Sequence, residues 1–321
     1  MLETVALSPS RVRTVRTGNT PHVAIILLNW NGQADTLACL NSLNGLDYSS
    51  YSVIVVDNGS TDGSAKAIRA AFPGVTLVES PANLGFVLGN NLGVDMALSQ
   101  GADYLLLLNN DTVVAPDFLT CLVASAEADP SIGIAGPAIY YFDEPRTFWS
   151  AGGAIDWQKG STRMLHIGEE DTGQLGSQPY RVDFVTGCAF LVKARVLRKV
   201  GKLDPRFFAY YEEAELCVRA GRAGYGCNVV PGARVWHKIS PQAREASPSV
   251  QYYMTRNRLL FLRCASAGLG AISRTLILEY GRTLLSWTVR PKWRLKRPLR
   301  KAMLRGISDF FSGRFGQASF S

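Results

Sequence analysis

Three groups of oxygen-bearing side chains in this sequence have the types and spacing to do chemistry. They are Asp57 in Asp57-Asn-Gly-Ser-Thr-Asp62, Asp111 in Asn109-Asn-Asp111, and Glu212, Glu213 and Glu215 directly after Tyr210-Tyr211. A carboxylate at the end of an apolar strand, as Asp57 is, can accept hydrogen bonds from the imide of a uracil or thymine ring. The same run is also good turn chemistry, in which Asp57 caps its own turn. Asp111 offers a hard oxygen to Mg²⁺ or Mn²⁺, and Asn109 offers a carbonyl to the ion or to a ribose; magnesium needs one or two carboxylates when phosphates and water complete its shell. A glutamate at a helix start can take a proton from a hydroxyl, although the helix dipole favours acids there in any case. Asn83, Gly85, Asn90 and Asn91 form a polar strip in which Gly85 permits close backbone approach and the amides can meet ribose or phosphate. Asn29 closes the first apolar run. His237, after Ala233-Arg-Val-Trp236, can ligate a metal, contact phosphate, or pack under Trp236.

These groups need a scaffold that gathers them. Val23–Leu28, Tyr51–Val56, Val75–Val78 and Tyr104–Leu108 are short continuous apolar runs, as expected of strands buried on both faces of a parallel sheet. Between them, Gln33–Leu43, Ser64–Ala71 and Asn83–Ser99 carry helical spacing, so the fold class is α/β with a Rossmann-like, mainly parallel central sheet flanked by helices. Ligands of such sheets bind outside the carboxyl ends of the strands, where Asn29, Asp57, Asn109 and Asp111 fall. From Gly133 to Tyr180 the pattern loosens into short strands and glycine-rich turns, Val182–Val192 is apolar, a helix is expected from Ala209 to Gly221, a strand from Gly226 to Val230, and a helix from Gln251 to Ala267. The expected organisation is a flexible leader over residues 1–20, a main domain over 21–265 divided into a nucleotide half (21–115) and an acceptor half (116–265), and a basic amphipathic extension over 266–321.

The 321 residues carry a net charge of +8, and Arg290 to Arg305 holds eight cations with no acid. Trp287, Trp293, Leu295, Leu299, Met303 and Leu304 interleave with those cations, a pattern suited to an anionic lipid interface. Positive charge confined to the tail, with no known nucleic-acid module, argues against nucleic-acid binding. Six scattered cysteines without a C-x-x-C pair argue against a structural zinc site or a small disulfide framework. Met1–Thr20 lacks the apolar core of a signal peptide, and Leu269–Val289 is broken by Arg274, Glu279 and Arg282. The expected location is cytoplasmic, peripheral on the inner face of the cell membrane.

Taken in order, Val23–Gly32, Val53–Ser64, Asn83–Gly93, Tyr104–Val114 and Thr186–His237 resemble the family 2 inverting glycosyltransferases of GT-A type fold, in particular the rhamnosyltransferase-like branch of bacterial surface-polysaccharide enzymes. The resemblance implies that Asp57 contacts the nucleotide base, that Asn109-Asn-Asp111 occupies the DxD site for a divalent cation, and that His237 completes the metal or diphosphate site. It makes Glu213 the base, with Glu212 as the alternative. Asn109 departs from the first acid of that motif, and Glu213 stands where aspartate is commoner. The implied reaction is a single addition of a hexose or deoxyhexose, rhamnose included, from a UDP- or dTDP-sugar to a glycan or lipid-linked acceptor. Two other readings are a silent nucleotide-sugar or glycan-binding protein of the same fold and a nucleotidyltransferase, the latter without its usual basic phosphate loop near residue 30. Arg256-Asn257-Arg258 also matches the branch, with no physical role evident from sequence.

Overall fold

A computed structural model of the chain describes residues 20–239 and 247–319. The expected leader, apart from Thr20, lies outside the described residues. The first half is a run of β-α units: β1 (Val23–Asn29), α1 (Gln33–Leu43), β2 (Tyr51–Asp57), α2 (Ser64–Ala71), β3 (Thr76–Glu79), α3 (Gly85–Ser99) and β4 (Tyr104–Asn109). β1 pairs in parallel with both β2 and β4, and β3 extends the sheet beyond β2. The order 3-2-1-4 makes β1/β4 a switch point, where the chain leaves β1 in one direction and returns on its other side, opening a crevice at the carboxyl ends. These strands are apolar throughout because helices cover both faces: α1, α2 and the later α4 on one, α3 and the later α6 and α7 on the other.

The second half adds β5 (Thr112–Val114), α4 (Phe118–Ala128), β6 (Ile132–Tyr141), β7 (Phe148–Ser150), β8 (Gly153–Asp156), β9 (Ser161–Met164), β10 (Tyr180–Arg181), β11 (Ala189–Lys193), α5 (Ala194–Val200), α6 (Glu212–Arg222) and β12 (Gly226–His237). The main path of the sheet is β10-β12-β6-β11-β4-β1-β2-β3, mixed and mostly parallel, with β8 and β9 a separate hairpin. β12 runs past Val230, where sequence patterning ends it, through a bulge to His237. Its far end pairs antiparallel with β5, setting His237 opposite Thr112. α6 begins at Glu212 and not Ala209, because Phe208, Tyr210 and Tyr211 hold left-handed φ values of 65°, 70° and 76°.

A helical extension follows: α7 (Pro248–Cys264), α8 (Gly268–Arg274), a π-helical turn (Thr275–Gly281), α9 (Arg282–Val289), a 3₁₀ segment (Pro291–Lys296) and α10 (Arg297–Phe311). Ser247 caps α7 by accepting the Val250 N–H at 3.3 Å, with Pro248 in the first turn. α10 packs on α7 so closely at Gly306 that a Cβ there would lie 2.9 Å from the Tyr252 carbonyl. Leu299 and Met303 are buried on that side of α10 and are not free to meet lipid, whereas Leu295 and Leu304 are exposed. No helix among the described residues is long and apolar enough to cross a membrane.

Candidate active site

The carboxyl ends of β1 and β2 are tied by a compact side-chain net. The strand register sets Asn29 beside Asp57. Asn29 Nδ2 donates to Asp57 Oδ1 at 2.7 Å and to Ser60 Oγ at 3.1 Å. Its Oδ1 accepts from Thr36 Oγ1 at 2.8 Å, from the Gly32 N–H at 3.2 Å and from Asn110 Nδ2 at 3.3 Å. Asn29 is fully buried, and both ends of its amide are engaged in this net. The other oxygen of Asp57 accepts the Ser60 N–H at 3.3 Å.

The strip ahead of α3 is similarly fastened. Asn58 donates to Asn83 Oδ1 at 3.0 Å and to the Gly85 carbonyl at 3.2 Å, and accepts the Leu84 N–H. Asn83 Oδ1 also accepts the Gly85 N–H at 2.8 Å, so Asn83 caps this turn. Asn90 bonds back to the Phe86 carbonyl and Asn91 to that of Leu203. Gly85, at φ +80°, leaves room for the Phe208 ring, which a Cβ would approach to 2.4 Å.

Asp111 and His237 meet because β5 pairs with the end of β12. His237 Nε2 and Asp111 Oδ1 stand 3.0 Å apart as an ion pair, and neither atom has a hydrogen-bond partner. Cis ligands of an octahedral ion with bonds of about 2.1 Å stand roughly 3.0 Å apart, so the spacing fits a divalent cation. No group of three or more His, Cys, Asp or Glu side chains among the described residues surrounds that position. Phosphate and water oxygens would have to complete the shell. Burial pulls the His237 imidazolium down, but Cys188 and Asp111 push it up to about 10. Held up in this way, the imidazole must give up its proton before it can ligate a cation. Burial also raises the Cys188 thiol. Lys238, which sequence reasoning passed over, follows directly and pairs with Asp35 at 2.8 Å. Asn109, half-buried, is held through its backbone N–H by the Cys188 carbonyl.

Glu212 and Glu213 differ in access. Glu212 is buried, and burial together with the Glu213 charge holds its carboxyl well above the usual range. Glu213 is half-buried and lines a cavity of about 300 Å³ with Thr162, Arg163, Tyr210, Tyr211 and Met254. Burial raises its carboxyl too, against the Gly187 N–H that faces it, and its Oε2 has no partner. Glu215 turns away and pairs with Arg219 at 2.7 Å. Clefts of about 800, 560 and 490 Å³ elsewhere hold none of Asp57, Asp111, Glu212, Glu213 or His237. The loop before β11 spans the two centres: Gly187 faces Glu213, and the next residue, Cys188, contacts His237.

The fold is of GT-A architecture. The chain belongs to glycosyl transferase family 2, whose profile matches residues 24–201. It is similar to the N-acetylglucosaminyl-diphospho-decaprenol L-rhamnosyltransferase of Mycobacterium tuberculosis, 29% identical over 204 residues, spanning 58% of this chain and 66% of that one. It is also similar to the dTDP-rhamnosyl transferase RfbF of Shigella flexneri, 24% identical over 253 residues, or 75% of this chain and 80% of the relative. Among solved structures, the mannosyltransferase PcManGT of Pyrobaculum calidifontis, in complex with GDP-Man and Mn²⁺, superposes with a TM-score of 0.54 at 16% identity over 97% of this chain and 91% of that one. GalNAc-T7 with UDP, GalNAc and Mn²⁺ gives 0.59 at 16% identity over 91% and 58%.

Proposed function

We propose that this glycosyltransferase adds one hexose or deoxyhexose, with rhamnose the leading candidate, from a UDP- or dTDP-sugar to a glycan or lipid-linked acceptor of bacterial surface polysaccharide, inverting the anomeric centre. The observation that carries this reading is the pair of adjacent contacts at Gly187 and Cys188, which puts an unpartnered Glu213 oxygen and the Asp111–His237 pair on either side of one loop. The rhamnosyl activities named for the two relatives support the choice of sugar.

Asp57 receives the base, and the Asn83–Gly85 turn and Asn109 border the ribose and phosphates. Asp111, and His237 once it has released its proton, would hold Mg²⁺ or Mn²⁺, which when bound would stabilise charge on the departing diphosphate. Glu213 Oε2 takes the proton of the acceptor hydroxyl as its oxygen attacks the anomeric carbon from the face opposite the diphosphate. A raised carboxyl is the better base near neutral pH, since its conjugate acid is less acidic. Tyr210, 40% exposed at the mouth of the cavity, offers a ring face to the acceptor sugar. On the extension, α9 buries no residue, and Leu285, Val289 and Leu295 stand exposed among Arg290 and Lys292. This surface suits the cytoplasmic face of an anionic membrane, where a lipid-linked acceptor would reside.

The test is a calorimetric screen of UDP-, dTDP- and GDP-sugars with and without Mn²⁺, followed by turnover of Glu213→Gln on the donor that binds. A metal-dependent uridine or thymidine response, with turnover in the variant lowered about 10²–10⁴-fold and donor affinity unchanged, is expected. Binding without turnover in the wild type would favour the silent binding protein, and pyrophosphate release would favour the nucleotidyltransferase.

A further inference from the structure

The turn that leads into Glu212 is expensive to build. Phe208, Tyr210 and Tyr211 are all left-handed, at roughly 1–3 kcal/mol each for residues other than glycine, and such backbone persists only where its surroundings over-determine it. Here every carbonyl from Arg206 to Tyr211 is engaged. Asn257 Nδ2 donates to those of Phe207 and Ala209 at 2.7 Å each and of Tyr210 at 3.1 Å. Arg256 donates to those of Arg206 and Phe207 at 3.3 Å. The Val87 N–H takes that of Phe208 at 3.0 Å, and the first α6 bond takes that of Tyr211.

Both α7 residues are sealed, Arg256 at 1% and Asn257 at 0% exposure. Arg256 Nε donates to Asn257 Oδ1 at 3.0 Å, which turns the amide so that its N–H groups face the loop. Its third nitrogen donates to the Gly316 carbonyl at 2.8 Å and to Tyr252 Oη at 3.2 Å. No carboxylate pairs with this guanidinium among the described residues. It lies instead over the rings of Tyr252, Tyr253 and Phe315, at 5.1, 5.1 and 5.8 Å. A buried cation without a counter-ion is a poor device for mere helix packing, because an apolar side chain of the same volume fills such space without the desolvation cost.

We propose that Arg256 and Asn257 are positioning residues, which hold the Phe207–Tyr211 backbone on the left-handed path that aims Glu213 into its cavity. The segment after α10 closes this frame through Phe315 and the Gly316 carbonyl, so the extension is part of the site. The proposal rests on Glu213 as the base.

Arg256→Lys keeps the charge and stem but loses the planar fork; Asn257→Ala removes the amide. The first readout is amide hydrogen exchange on the full-length chain, which needs no substrate. In Arg256→Lys, exchange over residues 207–215 should rise at least about tenfold while β1, β2 and β4 keep wild-type protection. The second is turnover: kcat should fall about 10²-fold, as for a misplacement near 1 Å, with the Kd for UDP or dTDP plus Mn²⁺ within about threefold and the acid limb of the kcat/KM profile displaced. A uniform rise in exchange, unchanged exchange, or loss of nucleotide affinity in step with kcat overturns the proposal. Should Asn257→Ala fail to fold, Arg256→Lys decides alone. Glu213→Gln run in parallel separates the two readings: if it keeps turnover, the base assignment fails; if it is inactive while Arg256→Lys matches wild type in both readouts, the positioning role fails.

Discussion

At the ends of β1 and β2 the polar side chains fasten one another: Asn29, Thr36, Asp57 and Ser60 come from neighbouring β-α units and bond to one another. The turn ahead of α6 is fastened from outside, by Asn257 and Arg256 of α7, by Val87 of α3, and at one remove by Gly316. The first region takes its shape from strand register, which the apolar runs dictate. The second takes its shape from contacts with α3 and with α7, which lie far from it in the chain. A crevice of the first kind is pre-organised with the sheet, while a turn of the second kind answers to changes far from it in sequence.

The contrast can be broken or sharpened at four places. The largest effect should come where the two regions meet. Asp111→Ala removes one of the two unpartnered atoms and should lower kcat/KM roughly 10²-fold with a weaker Mn²⁺ midpoint, since cation stabilisation of a leaving group contributes several kcal/mol. An unchanged metal titration would remove Asp111 from the metal site. Gly85→Ala drives a Cβ to 2.4 Å from the Phe208 ring at φ +80°; thermal or urea unfolding should show a loss of about 2–4 kcal/mol, and exchange near Phe208 should rise more than in β1.

Asn29→Ala strips the net from within, leaving Asp57, Thr36 and Asn110 each one partner short. About 1–3 kcal/mol of stability and some nucleotide affinity should go, with the exchange pattern of the Phe207–Tyr211 turn unaltered. If that turn loosens as well, the two regions are not independently held.

The smallest effect, Glu212→Gln, depends on pH. Burial raises the Glu212 carboxyl in the folded state, so its protonated form is favoured there. Below the unfolded value both states are protonated and the residue costs nothing. As pH rises through the folded value, the unfolded chain ionises first and wild-type stability falls. Glutamine removes that loss, so the variant should gain about 1 kcal/mol near neutral pH and above, and nothing at pH 4. A gain independent of pH would show that packing, not charge, sets the difference.

Much of this was legible in the residues. Apolar runs ending in Asn29, Asp57 and Asn109 placed the crevice, and the acids after Tyr210-Tyr211 put Glu213 forward as the proposed base. The start of α6 was not legible, because three left-handed residues with large side chains carry no sequence signal of their own. Nor was the role of Arg256-Asn257, since buried side chains that hold a distant turn read as ordinary helix positions. Leu299 and Met303 share a spacing with Leu295, yet packing on α7 buried the first two and left the third in the open.

The sequence by itself determined the parallel β-α half of the sheet, the family, and which side chains stand at strand ends, because hydrophobic periodicity and turn chemistry act over a few neighbouring residues. Only the tertiary structure decided that His237 meets Asp111, that Gly187 and Cys188 stand between the two centres, and that α7 holds the turn before Glu213. Those contacts depend on how β12 registers against β5 and how α7 docks, and pairings between distant segments leave no local pattern to read.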